Sequence, residues 1–116
     1  MPSLAITLPL HIVSEANARE HWRVVAKRKA AHREIARTML QRYARPKSQP
    51  ITVVLTRIGK KTLDDDNLQS GFKATRDGVA DWLGIDDGSL LLTWRYAQEK
   101  GKQYSAHVAV MWGLDA

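Results

Sequence analysis

The 116-residue chain has no cysteine. It therefore has no disulfide framework, no thiolate zinc site and no cysteine nucleophile, and the redox state of its compartment is left open. It also lacks any hydrophobic run approaching the ~20 residues needed to cross a bilayer; the longer apolar stretches, such as 106–112, fall far short. Residues 1–13 are fairly apolar, but they carry neither a basic leader nor a small-residue cleavage site, and Pro9 and His11 interrupt them. They do not read as a signal peptide. The expectation is a soluble cytoplasmic protein with no membrane partner. Internal repeats and low-complexity tracts are absent too. With 44% hydrophobic and 26% charged residues, the chain fits one compact domain spanning 1–116, able to bury roughly two-thirds of its unfolded surface.

Lysine and arginine total 18 against 12 acidic residues, a formal net charge of +6, with a pI near 9.9. That balance points to a polyanionic partner. The distribution is uneven. Residues 1–50 hold Arg19, Arg23, Lys27, Arg28, Lys29, Arg33, Arg37, Arg42, Arg45 and Lys47 against three glutamates, whereas residues 51–116 are close to neutral. Within that second half, Asp64, Asp65, Asp66, Asp77, Asp81, Asp86 and Asp87 are offset locally by Lys73 and Arg76 alone. A surface built only to hold phosphates gains nothing from such acids, because each carboxylate repels the ligand.

Leu4, Ile6 and Leu8 alternate with small or polar residues and end at Pro9, which predicts a first strand. Residues 14–43 are helical in composition and close before Pro46 and the polar link at 47–50. Trp22, Val25 and Ala26 set one apolar phase while Ala31, Ile35, Met39 and Tyr43 set another, which predicts a break at Lys27-Arg28-Lys29. Lys29, Arg33 and Arg37 recur every four residues on one face, either a solvated face or a phosphate-facing one. Residues 51–58 are dense in β-branched side chains and read as a buried central strand. Leu68, Phe72, Thr75, Val79 and Trp82 follow helical spacing over about 66–83, with Gly84 as the stop. Two alternating runs at 92–96 and 104–112 read as an antiparallel hairpin turning through Glu99-Lys100-Gly101. The order β-α-β-α-β-β predicts an α+β fold with helices packed on one mixed β-sheet.

The run Asp64-Asp65-Asp66-Asn67-Leu68 falls at the entry to the second helix. In an extended stretch alternate side chains share a direction, so Asp64 and Asp66 converge while Asp65 points elsewhere. Two carboxylates about 4 Å apart repel by about 4 kcal/mol at an effective dielectric near 20, a cost that a bound divalent cation removes. Hard oxygen ligands without histidine or thiol suit Mg²⁺, or Mn²⁺ in its place. Further along, Asp66, Ser70, Lys73 and Asp77 lie at i, i+4, i+7 and i+11, within about 40° of one another on a helix. Lys73 leans back toward the helix start, where its ammonium can approach a phosphate held beside the metal. Asp86-Asp87, in a loop between Gly84 and Gly88, would complete a cage on which water is activated and a phosphodiester oriented.

Plainer readings stand beside these. A single aspartate at a helix start caps it and complements its dipole, but three in a row exceed that need. Asp87-Gly88 also reads as a turn, and Lys73 alone as a solvent-facing lysine. An EF-hand fails, because counting from Asp64 position 6 is Gln69 and position 12 is Thr75. His11, His21, His32 and His107 show no paired ligand spacing and form no triad with Ser14 or Ser105. The four tryptophans read as core.

Asp64-x-Asp66-Asn67-Leu68-Gln69, a helix, and then Leu83-Gly84-Ile85-Asp86-Asp87 resembles the signature of RusA-type Holliday-junction resolvases, which are often phage or prophage encoded. The early strand followed by Asn17, His21, Trp22 and Arg23 is similar to that family's opening segment. The resemblance implies a Mg²⁺-dependent endonuclease acting as a homodimer, whose two symmetric active sites nick opposed strands of a four-way DNA junction. It places the essential carboxylates on Asp64, Asp66 and the Asp86-Asp87 pair, with Asp87 the better match for the catalytic one. The family's lysine, three residues after the asparagine, falls here on Ser70. Lys73 is the nearest replacement, one turn later on the same stripe.

The expected function is a structure-selective endodeoxyribonuclease. Asp64, Asp66, Asp86 and Asp87 hold the metal, Lys73 stabilises charge on the phosphate, and Lys27, Arg28, Lys29, Arg33 and Arg37 track branched DNA. The alternative is a non-catalytic DNA-binding module derived from a degenerate nuclease, which the serine at position 70 favours. A nuclease acting on flaps or RNA is a third reading.

Overall fold

The computed structural model of the chain describes residues 3–14, 20–46 and 48–113. The elements are β1 (Ser3–Leu8), α1 (Trp22–Leu40), β2 (Ile51–Gly59), α2 (Asp65–Gly71), α3 (Lys73–Leu83), β3 (Leu92–Lys100) and β4 (Ser105–Trp112). The predicted α+β architecture with one mixed sheet is what the chain adopts. The strands lie in the order β1-β4-β2-β3; β4 is antiparallel to both β1 and β2, and β2 and β3 are parallel. Among the described residues, no helix is long and apolar enough to cross a membrane.

Burial along β2 alternates without interruption, as expected of a strand paired on both edges. Val53 and Leu55 share their face with Leu8 of β1 and with Ala106, Val108 and Val110 of β4, and the helices close over it with Ala36, Leu40, Leu68, Phe72, Val79, Trp82 and Leu83. Arg57 falls in the same buried phase. Its guanidinium Nε donates to the Ile12 carbonyl at 2.8 Å and Nη1 to that of Lys61 at 2.6 Å. Two residues later, Leu63 exchanges hydrogen bonds with the Gln98 side chain of β3. The chain is thereby fixed just before the acidic run begins.

Five sequence expectations need correction. The helix predicted from residue 14 starts at Trp22, where His21 Nδ1 accepts from the Arg23 amide at 3.1 Å; Asn17, in the segment likened to the resolvase family, lies outside the described residues. No break occurs at Lys27-Arg28-Lys29, and α1 runs unbroken to Leu40. Its buried residues His32, Ala36 and Leu40 all lie in the second half, so the first half's different apolar phase meets no core that would demand a kink. Trp22, read as core, is 68% exposed.

The helix predicted over 66–83 is two helices meeting at Phe72, whose amide is shared between the Leu68 and Gln69 carbonyls, both at 3.2 Å. The irregularity falls where the N-terminal segment crosses, since a Cβ on Gly71 would stand 2.6 Å from the Val13 carbonyl oxygen. Gly84 ends α3 in the left-handed conformation at φ 70°, as predicted.

The hairpin is also absent. β2 lies between β3 and β4; β3 continues through Lys100, and the following Gly101 amide donates to the Gly59 carbonyl at the end of β2. Alternating hydrophobicity assigns a strand its faces but not its neighbours, and β2, the most buried strand, takes partners on both sides.

Helices α1 and α3 cross at Gly78, where a Cβ would collide with the Arg33 carbonyl oxygen and stand 2.9 Å from the Ala36 Cβ. In an isolated helix alanine is preferred to glycine by about 1 kcal/mol. Here Gly78→Ala is expected to destabilise the protein by about 1–3 kcal/mol through overpacking, read from urea unfolding midpoints at constant slope; a stabilised variant would show that the crossing yields.

Candidate active site

The acidic run does two separate things. Asp64 is the N-cap of α2, with Oδ1 accepting from the Asn67 amide at 2.9 Å, which satisfies an otherwise unpaired helix-start donor. Asp65 and Asp66 already belong to the first helical turn, so the extended alternation assumed from the sequence stops at Asp64. The two point into different clefts: Asp65 lines one with Trp94, Arg95 and Tyr96. Asp66 lines another of about 450 Å³ with Lys29, Gln69, Ser70, Lys73, Arg76 and Tyr96. The polar stripe of Asp66, Ser70 and Lys73 therefore faces one cleft despite the irregularity at Phe72.

Lys73 links this cleft to the loop aspartates. Its Nζ donates to Asp77 Oδ1 at 2.8 Å and to Asp87 Oδ2 at 3.0 Å. Those bonds raise the Lys73 pKa, Asp77 more than Asp87, and the Lys73 bond, with the charges of Lys73 and Arg76 behind it, holds the Asp87 carboxyl below the usual range. Asp87 is thus ionised and already carries cationic partners.

Arg76, one turn after Lys73, was not among the residues singled out from the sequence. Its Nε stands 3.1 Å from Asp87 Oδ2, Nη2 donates to the Asp87 carbonyl at 3.0 Å and Nη1 to the Tyr96 hydroxyl at 2.9 Å. The guanidinium lies over the Trp94 ring at 4.7 Å from its centroid, and the Trp94 indole donates to the same Asp87 carbonyl at 2.8 Å. The available signal was charge: Lys73 and Arg76 are the only cations within the aspartate-rich segment. Asp86 makes a local turn, its Oδ1 accepting from the Gly88 amide at 3.0 Å.

Among the described residues Asp66 is the one carboxylate in its cleft, whereas Asp86 and Asp87 line a neighbouring cleft with Arg33, Asp77 and Asp81; neither is lined by histidine, and carboxylates suit a hard divalent cation in kind. Their arrangement is open. Among the described residues no three Asp, Glu, His or Cys side chains are grouped as a metal site, and Asp87 is engaged by Lys73 and Arg76 instead. Of the histidines, His11 stacks on Tyr104 with ring centroids 3.7 Å apart, and burial, then Arg57 and Arg28, push its pKa down. His21 caps α1, and His32 is buried.

The basic residues of α1 divide into two groups. Arg28 pairs with Glu20 at 2.7 Å, Arg37 with Glu34, and Arg33 makes a two-pronged contact with Asp81 of α3 at 2.7 and 2.9 Å. Lys27 and Lys29 are exposed, and Lys29 lines the cleft of Asp66 and Lys73. The face read as phosphate-tracking thus borders α3 and is partly neutralised within the chain.

The Arg33 bond keeps the Asp81 carboxyl ionised below its ordinary range. Because the folded pKa is depressed, this stabilisation is present above the unfolded value of about 3.9 and is lost as pH falls through the folded pKa. Asp81→Asn should therefore cost under about 1 kcal/mol at neutral pH, an exposed pair being worth little. Denaturation curves of parent and variant should converge in acid; a gap that persists undiminished at low pH would contradict the pairing. Compared with models of known protein families and with curated protein sequences, the chain matches none.

Proposed function

We propose that this chain is a metal-dependent, structure-selective DNA endonuclease of the RusA kind, acting in the cytoplasm as a homodimer on four-way junctions and cutting by paired symmetric nicks. One observation carries the reading: Lys73 lines the cleft of Asp66 and is hydrogen-bonded to Asp87, so one lysine links two aspartate segments about twenty positions apart.

Asp64, Asp66 and Asp87, with Asp86 beside them, would hold the cation. Mg²⁺, or Mn²⁺ in its place, supplies water activation and orientation of the phosphodiester when bound. Lys73 supplies positive charge where the phosphate's charge builds up, the kind of preorganised stabilisation that dominates such reactions. Position 70, where the resolvase family carries lysine, is a serine in the same cleft, so Lys73 reaches it from the next helix. Lys29 and Lys27 contact the backbone of the branched DNA, while Arg28, Arg33 and Arg37 contribute through charge already shared with Glu20, Asp81 and Glu34. Phosphate contacts carry no base information, so selectivity comes from junction shape and dimer geometry.

A second reading, a non-catalytic junction-binding module, is favoured by the Lys73 and Arg76 contacts that neutralise Asp87. Strand cleavage discriminates the two. With Mg²⁺ and a labelled four-way junction, the parent protein should cleave, Asp66→Asn and Asp87→Asn should not, and Lys73→Ala should slow cleavage by about 10²–10³-fold. Equal cleavage by the parent and Asp66→Asn, or none by the parent, would overturn the nuclease reading. Junction affinity that falls with salt by a log–log slope of about −0.9 per phosphate contacted, without cleavage, would establish the module instead. In either case Lys29→Ala should flatten that slope by about 1.

A further inference from the structure

We infer that Arg76 is the positioning residue that sets Asp87 for cation binding. The inference rests on the nuclease reading of the cleft. The loop carrying Asp87 spans the eight residues 84–91 between α3 and β3, and a carboxylate on such a loop has many orientations unless its backbone is tied down. Here the tie is specific. The Asp87 carbonyl accepts from two donors on different elements, Arg76 Nη2 at 3.0 Å and Trp94 Nε1 at 2.8 Å, while Arg76 Nε reaches the carboxylate of the same residue at 3.1 Å. One guanidinium thus holds the Asp87 main chain by a hydrogen bond and stands as an ion-pair partner beside its carboxylate, without a directed Nε bond to it.

The guanidinium is itself constrained on two further sides. Its remaining terminal nitrogen donates to the Tyr96 hydroxyl, and its central carbon lies over the Trp94 ring. Both aromatic residues belong to β3 and alternate on its helix-facing side. Only the fork geometry of arginine meets these demands, since a lysine keeps the charge but cannot hold two donors at fixed spacing above an indole. Lys73, by contrast, reaches Asp87 through its carboxylate alone, is also bonded to Asp77 and is 58% exposed, so it can exchange Asp87 for a phosphate oxygen while Arg76 keeps the aspartate in place. Two cations on one carboxylate then have separate roles.

The test follows the Trp94 indole N–H by ¹H–¹⁵N spectroscopy of the full chain during titration with Mg²⁺ alone, beside junction cleavage. In the parent protein the Trp94 signal is expected to shift and saturate. Arg76→Lys should raise the midpoint about tenfold or more while the other three indole signals stay in place, and Tyr96→Phe, which removes only the hydroxyl acceptor, should raise it by a smaller factor. Midpoints unchanged in both variants would overturn the positioning role. A parent protein that cleaves junctions while its Trp94 signal ignores Mg²⁺ would overturn the positioning role and leave the nuclease reading intact; no shift and no cleavage would overturn both. Should Arg76→Lys disturb all four indole signals through misfolding, Tyr96→Phe decides.

Discussion

Parallel pairing of β2 with β3 constrains everything that follows it in the chain. Parallel neighbours cannot be joined by a tight turn, so the intervening segment must leave the sheet, cross one of its faces and return. In this protein the crossing is made by α2 and α3, and it carries Asp64, Asp66, Lys73, Arg76, Asp86 and Asp87 in 24 consecutive positions. Because β3 runs beside β2, its residues Trp94, Tyr96 and Gln98 lie beneath the crossover: Gln98 clamps Leu63 at its start, Tyr96 and Trp94 hold Arg76 in its middle, and Trp94 donates to the Asp87 carbonyl near its end. The sheet therefore fixes both ends of the acidic segment, and the short polar loops need little stability of their own.

Charge is distributed with the same logic. Seven aspartates so close in sequence repel one another unless cations answer them. Asp81 is answered by Arg33 from α1, Asp77 and Asp87 by Lys73, and Asp87 again by Arg76. Asp66 has no such partner among these bridges and opens on the cleft that Lys73 and Lys29 also line. On the proposed reading, the Asp66 carboxylate, the Asp87 carboxylate and the exposed Lys73 ammonium between them serve cation and phosphate binding, with Lys73 in the part that a lysine at position 70 would play.

Much of this was legible in the sequence, and what was not has identifiable causes. The β-branched density of 51–58 marked the central strand, and Gly84 marked the end of α3. Strand neighbours were hidden, because the alternation of 92–96 and 104–112 fits a hairpin and a split pair equally well; only the need of β2 for two partners separates them. The continuity of α1 was hidden because two apolar phases look like two helices unless it is known that only one of them meets the core. Arg76 was visible as charge but not as geometry, since its partners Asp87, Trp94 and Tyr96 come together only through the crossover. Arg33 and Arg37 looked like free cations because Asp81 lies 48 positions from Arg33 and Glu34 was counted as background.

Two aspartate segments serving one divalent ion are the foundation of the proposed chemistry. Crystals of the full chain soaked in Mn²⁺ and measured for anomalous scattering test that directly: a single peak within coordination distance of both Asp66 and Asp87, with Lys73 swung away from the Asp87 carboxylate, is the predicted result. A peak bound to one segment alone, or saturating Mn²⁺ that leaves both carboxylates unliganded, would contradict it.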